Sequence, residues 1–105
     1  MNNDKALRLI GLCRRSGNCA CGANQAEYAI KTGKAKLLII TEDCGSATKE
    51  KFAGFAERNQ VKCMIAFDKQ TLGKAVSYKE LSLACITDEN FADGIQKCAE
   101  EMEEI

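Results

Sequence analysis

A chain of 105 residues, 46% apolar and 29% charged, has the length and composition of one globular domain with a single core, and not those of a disordered segment. It contains no apolar run near the roughly 20 residues that span a membrane, and no signal peptide is recognisable at its N-terminus. We therefore expect a single cytoplasmic domain over residues 1–105 that has no membrane partner.

The formal net charge of zero hides an asymmetry along the chain. Residues 1–40 hold seven basic and two acidic side chains, a net charge of +5, so the remaining residues carry −5. A neutral total does not exclude an anionic partner when the positive charge collects on one face. If such a face exists, we expect the first 40 residues to form it.

Helix and strand patterns alternate from the N-terminus onward. Residues 4–17 predict a helix, with Asp4 as its cap and Gly17 as its stop. Residues 23–33 predict a short helix closed by Gly33. The run "KLLIIT" at 36–41 is continuously apolar, which is typical of a strand covered on both faces.

The second half repeats the alternation. A helix over 46–59, with Ser46 as its cap, would place Phe52, Phe55 and Ala56 on one face. "CMIAF" at 63–67 predicts a second buried strand, "TLGKAVS" at 71–77 one turn of helix at most, and "LSLACIT" at 81–87 a third strand. Asp88 would cap a last helix over 89–104, whose apolar stripe is Phe91, Ile95, Cys98 and Met102. This order predicts a layered α/β fold with helices on both faces of the sheet.

The seven cysteines are accompanied by no histidine. Four of them lie in apolar segments and are expected to be reduced and buried: Cys13, Cys63, Cys85 and Cys98. Zinc sites need four ligands, usually in two close pairs, and the one close pair here is Cys19 and Cys21 on a short strand. Alternate residues of a strand point to the same side, which favours packing and makes a direct disulfide strained. We expect no metal; a metal- or redox-responsive domain using Cys13, Cys19 and Cys21 is the less favoured alternative.

Templates for catalysis are missing. Without histidine the commonest general base and the usual partner of a nucleophile are absent. Glu42 and Asp43 follow a strand, at a position where acidic residues commonly cap, and "CGSATK" lacks the spacing of a phosphate loop. We expect no catalytic residues, no cofactor and no enzymatic activity.

The segment "GANQ" at 22–25 offers a different chemistry. Gly22 allows a close backbone approach, and the helix that follows presents unpaired N–H groups to an anion. The amides of Asn24 and Gln25 can donate to and accept from base edges, and Lys31 lies seven residues after Asn24 on the same helical face. Spacing alone leaves two interpretations open, a nucleic-acid site and a capped helix with a solvated basic side.

Three segments resemble a known family. "LRLIGLCRRSG", "GANQAEYAIKTGKAKLLIITEDCGSATKEK" and "DKQTLGKAVSYKELSLACITDENFADGI" match, in order and spacing, motifs of the kink-turn-binding ribosomal-protein superfamily, over roughly residues 5–100. The archaeal and eukaryotic large-subunit proteins belong to this superfamily, and the bacterial YlxQ-type branch looks most similar. The resemblance implies a three-layer α/β/α sandwich whose small mixed sheet has about four strands.

The resemblance also implies a function. Its members bind RNA by docking the second helix against tandem sheared G·A pairs in a bent RNA. Gly22 would then admit the RNA backbone, Asn24 would contact a guanine edge, and Lys31 and Lys34 would contact phosphates. The second motif, at 72–75, would cover an unpaired loop nucleotide. The implied RNA-binding residues are Gly22, Ala23, Asn24, Gln25, Tyr28, Lys31, Lys34, Leu72, Gly73, Lys74 and Ala75.

Four positions depart from the family pattern. Gln25 stands where the family often has Glu, Tyr28 where it often has Lys, and Val76-Ser77 where many members end in glycine. Tyr28 removes one charged contact but could stack on a base. We expect a monomer that binds structured RNA, such as ribosomal RNA or another kink-turn RNA, with the ribosome as a possible partner. A protein-interaction module that kept the fold and lost RNA recognition is the alternative from another class.

Overall fold

The computed structural model describes the backbone of residues 2–103 and the side chains of residues 4–99. Helices and strands alternate along this part of the chain. The elements are α1 (Asn2–Arg15), β1 (Cys19–Cys21), α2 (Ala23–Lys31), β2 (Leu37–Ile40), α3 (Ser46–Arg58), β3 (Lys62–Ile65), α4 (Lys69–Ala75), β4 (Leu83–Ile86) and α5 (Glu89–Glu103). None of the described helices is long and apolar enough to cross a bilayer.

The four strands form one mixed sheet in the order β1-β4-β2-β3. The strand β4 is antiparallel to both of its neighbours, with Cys85 opposite Ala20 of β1 and Leu38 of β2. The strands β2 and β3 are parallel, and Leu38 lies opposite Cys63. The strands β1 and β3 are therefore the edge strands of this sheet.

Helices cover both faces of the sheet. Successive residues of a strand point to opposite faces, so Leu37 and Ile39 enter one core while Leu38 and Ile40 enter the other. The first core contains residues of α1, α4 and α5, and the second contains residues of α2 and α3. The predicted three-layer α/β/α sandwich with a four-stranded mixed sheet is confirmed.

Two predicted N-caps are wrong. The helix α1 begins at Asn2, so Asp4 lies inside its first turn, where a carboxylate still interacts favourably with the helix dipole. In α3 the capping position is Gly45 and Ser46 is the first helical residue, with no side-chain capping bond. Local composition marks a helix start to within a few residues, and the path of the incoming chain decides which residue caps.

The last helix begins as predicted. Asp88 accepts a hydrogen bond from the Phe91 N–H at 2.9 Å. Phe91 is partly buried, and Ile95 and Cys98 are buried in the first core, which confirms the predicted stripe at these positions. The side chain of Met102 lies outside the described residues.

The strand β3 is exposed, although its sequence predicted a buried strand. Cys63 is exposed and Ile65 is 53% exposed, while Met64 is partly buried against the first core. The physical reason is position, because an edge strand at the end of the sheet is only partly covered by helices. An apolar run does not by itself show how many faces are covered.

The helix α4 is longer than the predicted single turn. Asp68 accepts a hydrogen bond from the Thr71 N–H at 2.7 Å, which caps the helix locally. Asp43, on the loop after β2, accepts from the Lys69 N–H at 3.0 Å. Two carboxylates therefore satisfy N–H groups at the start of α4, and one of them comes from a distant part of the sequence. The structural role expected for the Glu42-Asp43 pair is confirmed at Asp43.

The helices α1 and α4 approach each other closely at Gly11. A Cβ atom at this position would lie 2.9 Å from the backbone oxygen of Ala75, closer than such atoms are found in proteins. Because Gly11 has no side chain, α4 can pack against α1 at this short distance.

We predict opposite effects of alanine at two helical glycines. Gly11→Ala should lower the free energy of unfolding by about 1–3 kcal/mol, because the backbone at Ala75 must shift. Gly54→Ala in α3 is the matched control, since its nearest neighbour is the flexible Arg58 guanidinium at 3.3 Å. It should raise stability by up to about 1 kcal/mol through helix propensity. Urea denaturation measures the free energy of unfolding of both variants. Equal changes in the two variants would contradict a close contact between Gly11 and Ala75.

Cys85 lies at the centre of the sheet and is fully buried. Burial, with a smaller contribution from Cys63, raises the pKa of its thiol from the ordinary value of 9.0 to about 12. Its Sγ donates to the Ala26 carbonyl oxygen of α2 at 3.7 Å. The thiol is therefore held in its neutral form at the contact between β4 and α2.

This thiol predicts a loss of stability in alkali. The neutral form is favoured by the fold, so its contribution is fully present below pH 9 and disappears as the pH rises towards about 12. From pH 9 upward the free energy of unfolding should fall more steeply for the wild type than for Cys85→Ala. Denaturation curves at a series of pH values test this, and parallel curves for the two proteins would contradict it.

Candidate nucleic-acid interface

The N-terminus of α2 is open to solvent beside the edge strand β1. Gly22 occupies the capping position with a φ of 89°, a conformation that favours glycine, and no side chain caps the helix. The Gly22 N–H donates to the Leu83 carbonyl oxygen at 3.0 Å, which continues the pairing of β1 with β4. The next residues, Ala23, Asn24 and Gln25, are exposed. The uncapped N–H groups of this turn and the positive end of the helix dipole thus face outward.

The two amide side chains of this turn have different roles. The Gln25 Oε1 accepts a hydrogen bond from the Cys21 N–H at 3.3 Å, so Gln25 satisfies the backbone of β1. Asn24 has no hydrogen bond to any residue that the structure describes, and its amide can both donate and accept. Of the pair, Asn24 is the one available to a ligand.

Tyr28 and Lys34 lie together on the side of α2 that faces β1. The Lys34 Nζ is 5.7 Å from the centroid of the Tyr28 ring, and Tyr28 is 64% exposed. With Gln25, Cys19 and neighbouring residues they line a shallow cavity of about 280 Å³. An exposed ring beside a cation provides a platform on which a base can stack.

Lys31 belongs to a different group of side chains. Its Nζ forms an ion pair with Glu27 at 3.0 Å and lies 5.0 Å from the centroid of the Phe55 ring in α3. The ion pair with Lys31 is the main cause of the lowered pKa of the Glu27 carboxyl. Lys51 and Arg58 lie 5.7 and 5.3 Å from the same ring. The predicted phosphate contact of Lys31 would therefore compete with Glu27.

The second implied RNA-binding segment, residues 72–75, lies in a helix and not in a loop. Residues 72–75 lie in α4, where Leu72 is fully buried and Gly73 is also buried. A Cβ atom at Gly73 would come within 2.9 Å of the Glu80 Cα, so this glycine lets residues 78–80 cross the helix. Only Lys74 of the four is exposed, and Ala75 is half-buried. The nucleotide contact stays a prediction, and it would fall on the exposed residues 77–80 and on Lys74.

Sequence reasoning missed a contact between α1 and this crossing segment. The Arg14 guanidinium lies 5.8 Å from the centroid of the Tyr78 ring. Both side chains are exposed, and α1 packs against β1 from the face opposite α2. Arg14 and Arg15, the basic pair in the last turn of α1, are the sequence feature that could have indicated this contact. We call Arg14, Gly22–Gln25, Tyr28, Lys34 and Tyr78 the β1-edge surface.

The cysteines of β1 pack into the first core. Cys19 and Cys21 point to the same side, with their sulfur atoms 3.8 Å apart, and both are buried near Cys13. The pKa of the Cys19 thiol is raised to about 12, mainly by a hydrogen bond with Cys13. The pKa of the Cys21 thiol is also raised, mainly by a hydrogen bond with Cys19. Neutral buried thiols are poor nucleophiles and poor metal ligands. Across residues 2–103, no group of potential ligands has the arrangement of a metal site, and every cysteine is free.

Known proteins match the chain over most of its length. RNA-binding protein YlxQ of Enterococcus faecium is 29% identical over 91 residues, which is 87% of each chain. RNA-binding protein YlxQ of Bacillus subtilis (strain 168) is 26% identical over 85 residues, 81% of this chain and 85% of the relative. Both names describe RNA binding and neither describes an enzyme, which agrees with the expectation that this chain is not an enzyme.

Solved structures match the fold. A protein of unknown function from Bacillus halodurans C superimposes with a TM-score of 0.88 at 26% identity, covering 91% of this chain and 97% of that chain. The Giardia lamblia 15.5kD RNA binding protein superimposes with a TM-score of 0.78 at 20% identity, covering 98% and 89%. Residues 4–96 match the family model described as Ribosomal protein L7Ae/L30e/S12e/Gadd45 family. The resemblance found in the sequence is thereby confirmed, and the chain belongs to this family.

Proposed function

We propose that this protein is a non-enzymatic RNA-binding protein that binds structured RNA through the β1-edge surface. The observation that carries the proposal is the uncapped N-terminus of α2, with the unpaired amide of Asn24 beside the exposed Tyr28 ring. Open N–H groups suit a phosphate, an amide suits a base edge, and an aromatic ring suits an unstacked base. The two YlxQ relatives, named as RNA-binding proteins, support it.

The RNA we propose is a kink-turn with tandem sheared G·A pairs. Gly22 leaves the surface without a side chain where the RNA backbone would pass, and Asn24 would contact a guanine edge. Arg14 and Tyr78, on the other side of β1, extend the same surface towards the unpaired loop nucleotide. A bent RNA could contact both sides of the narrow β1 edge at once, whereas a straight duplex is recognised mainly across its minor groove.

We further propose that the protein acts as a cytoplasmic monomer, on ribosomal RNA or a regulatory RNA. The membership in a ribosomal-protein family supports the ribosomal setting. Sedimentation of cell extracts with and without nuclease would test the ribosomal association.

The side chain of Asn24 is expected to contribute to RNA specificity. In an electrophoretic mobility shift assay, the wild type should bind a kink-turn RNA more tightly than the same RNA with its G·A pairs disrupted. Asn24→Ala should lower affinity for the kink-turn about tenfold, because a base contact is worth about 1–3 kcal/mol. It should lower affinity for the disrupted RNA much less.

Asn90→Ala is the matched control for this experiment. Asn90 is exposed and is the second residue of α5, as Asn24 is the second residue of α2. The control should bind both RNAs like the wild type. Equal, weak binding of the wild-type protein to the two RNAs would contradict the kink-turn proposal and favour a protein-interaction module.

The position of Tyr28 is expected to affect the salt dependence of RNA binding. Tyr28→Lys adds a cation beside Lys34, so it should steepen the dependence of log K on log salt concentration by about one unit. Leu12→Lys is the control, because Leu12 is 50% exposed on α1 and is not part of the β1-edge surface. Fluorescence anisotropy over a salt series measures both slopes. The same change in both variants would show that the RNA does not lie at Tyr28.

A further inference from the structure

A groove of about 740 Å³ runs between α1 and α4. It lies in the helical layer that packs on the first core, whereas α2 belongs to the opposite layer. Of the residues that line it, Lys74 and Ala75 are also among the implied RNA-binding residues. Apart from these two residues, the chemistry of the groove can be considered by itself.

The floor of the groove is aliphatic. It is lined by Leu7, Leu12 and Ala75, and Gly11 adds no side chain between the two helices. Leu12 is 50% exposed, so its apolar side chain is open to solvent within the groove. An aliphatic floor without an aromatic ring offers nothing on which a nucleic-acid base can stack. It offers instead a place for an apolar side chain of a protein.

The rim of the groove is basic. Arg8 and Arg15 lie seven residues apart on α1, so they share a face and are about 10 Å apart along the helix axis. Lys74 lies on the α4 side, and Asp4 stands at one end. The ion pairs found among the described side chains all involve Glu27, and none involves these four residues. The rim thus carries a net charge of +2 with no described acidic partner.

We propose that this groove binds an amphipathic acidic helix of a partner protein. Apolar side chains of that helix would occupy the floor at Leu12, and acidic side chains seven residues apart would meet Arg8 and Arg15. Helices commonly bind in this way, with an apolar face in a groove and charged residues at the rim. Because none of the groove residues belongs to the β1-edge surface, RNA and the partner can bind together, and the protein acts as an adaptor.

The test uses a fluorescent helical peptide with glutamates seven residues apart and leucines between them. Its counterpart has lysines in place of the glutamates. Fluorescence anisotropy should show that the wild type binds the acidic peptide at least about tenfold more tightly than the lysine peptide. Arg8→Glu/Arg15→Glu should abolish this preference. Leu12→Ala should weaken acidic-peptide binding while leaving the charge preference in place.

Lys62→Glu/Lys97→Glu is the matched control, since both lysines are exposed, lie outside the groove and give the same change in net charge. It should keep the preference for the acidic peptide, and both double variants should bind kink-turn RNA equally.

The proposal is overturned if the control loses the preference as fully as Arg8→Glu/Arg15→Glu. It is also overturned if the groove variant alone loses RNA affinity, which would assign the groove to RNA. Self-association of the wild type that Leu12→Lys abolishes would assign it to a second copy of the chain and would likewise overturn the proposal.

Discussion

The pairing of β1 with β4 is the constraint on which the candidate interface depends. The strand β1 has only three residues, and it is held in the sheet by its antiparallel register with the buried strand β4. The pairing continues to Gly22, whose N–H reaches the Leu83 carbonyl oxygen. It therefore fixes where the chain turns into α2. Gln25 reaches back to the Cys21 N–H, and this bond joins the helix start to the outer edge of the strand.

The same constraint explains how side chains from distant parts of the sequence meet. An edge strand has one helical layer on each side, so α2 and α1 both approach β1, from opposite faces. Tyr28 and Lys34 lie on one side, and Arg14 with Tyr78 lies on the other. The β1 edge thus carries an aromatic ring and a cation on each side, and this arrangement is the basis for proposing a bent RNA as the ligand.

The positive charge of the N-terminal segment is distributed over several surfaces rather than collected on one. Arg14 and Lys34 belong to the β1-edge surface, whereas Lys31 turns towards α3 and is partly neutralised by Glu27. Arg8 and Arg15 line the groove between α1 and α4. The cations of the first 40 residues therefore belong to several groups of side chains. Helices expose residues around their full circumference, and a net charge along the sequence does not specify the side on which each cation lies.

Much of the fold could be predicted from the sequence because its periodic patterns are local. The runs that form β2 and β4 are apolar throughout, and both strands are buried on both faces. The run that forms β3 looks the same, yet β3 is an exposed edge, since strand order is a property of the whole sheet. The hydrogen bond from the Lys69 N–H of α4 to Asp43 could not be predicted from a local pattern either, because the two residues are 26 positions apart in the sequence.

The candidate site divides in the same way. The motif at Gly22–Gln25 was found because its residues are adjacent and belong to a known pattern. The different roles of Asn24 and Gln25 could not be predicted, because the β1 N–H that Gln25 satisfies is defined only by the folded edge. The contact of Arg14 with Tyr78 was missed for the same reason, since 64 residues of chain separate the two side chains and only the fold brings them together.

The most direct test of the account is an NMR titration of the isotope-labelled protein with kink-turn RNA. The account predicts that the backbone amide signals of residues 22–28 and 77–80, which flank β1, shift most on binding. The amides of residues 7–12 in the groove between α1 and α4 should be unaffected, because the RNA leaves that surface free. Shifts centred on α3 and β3, or on residues 7–12, with residues 22–28 unchanged, would contradict it.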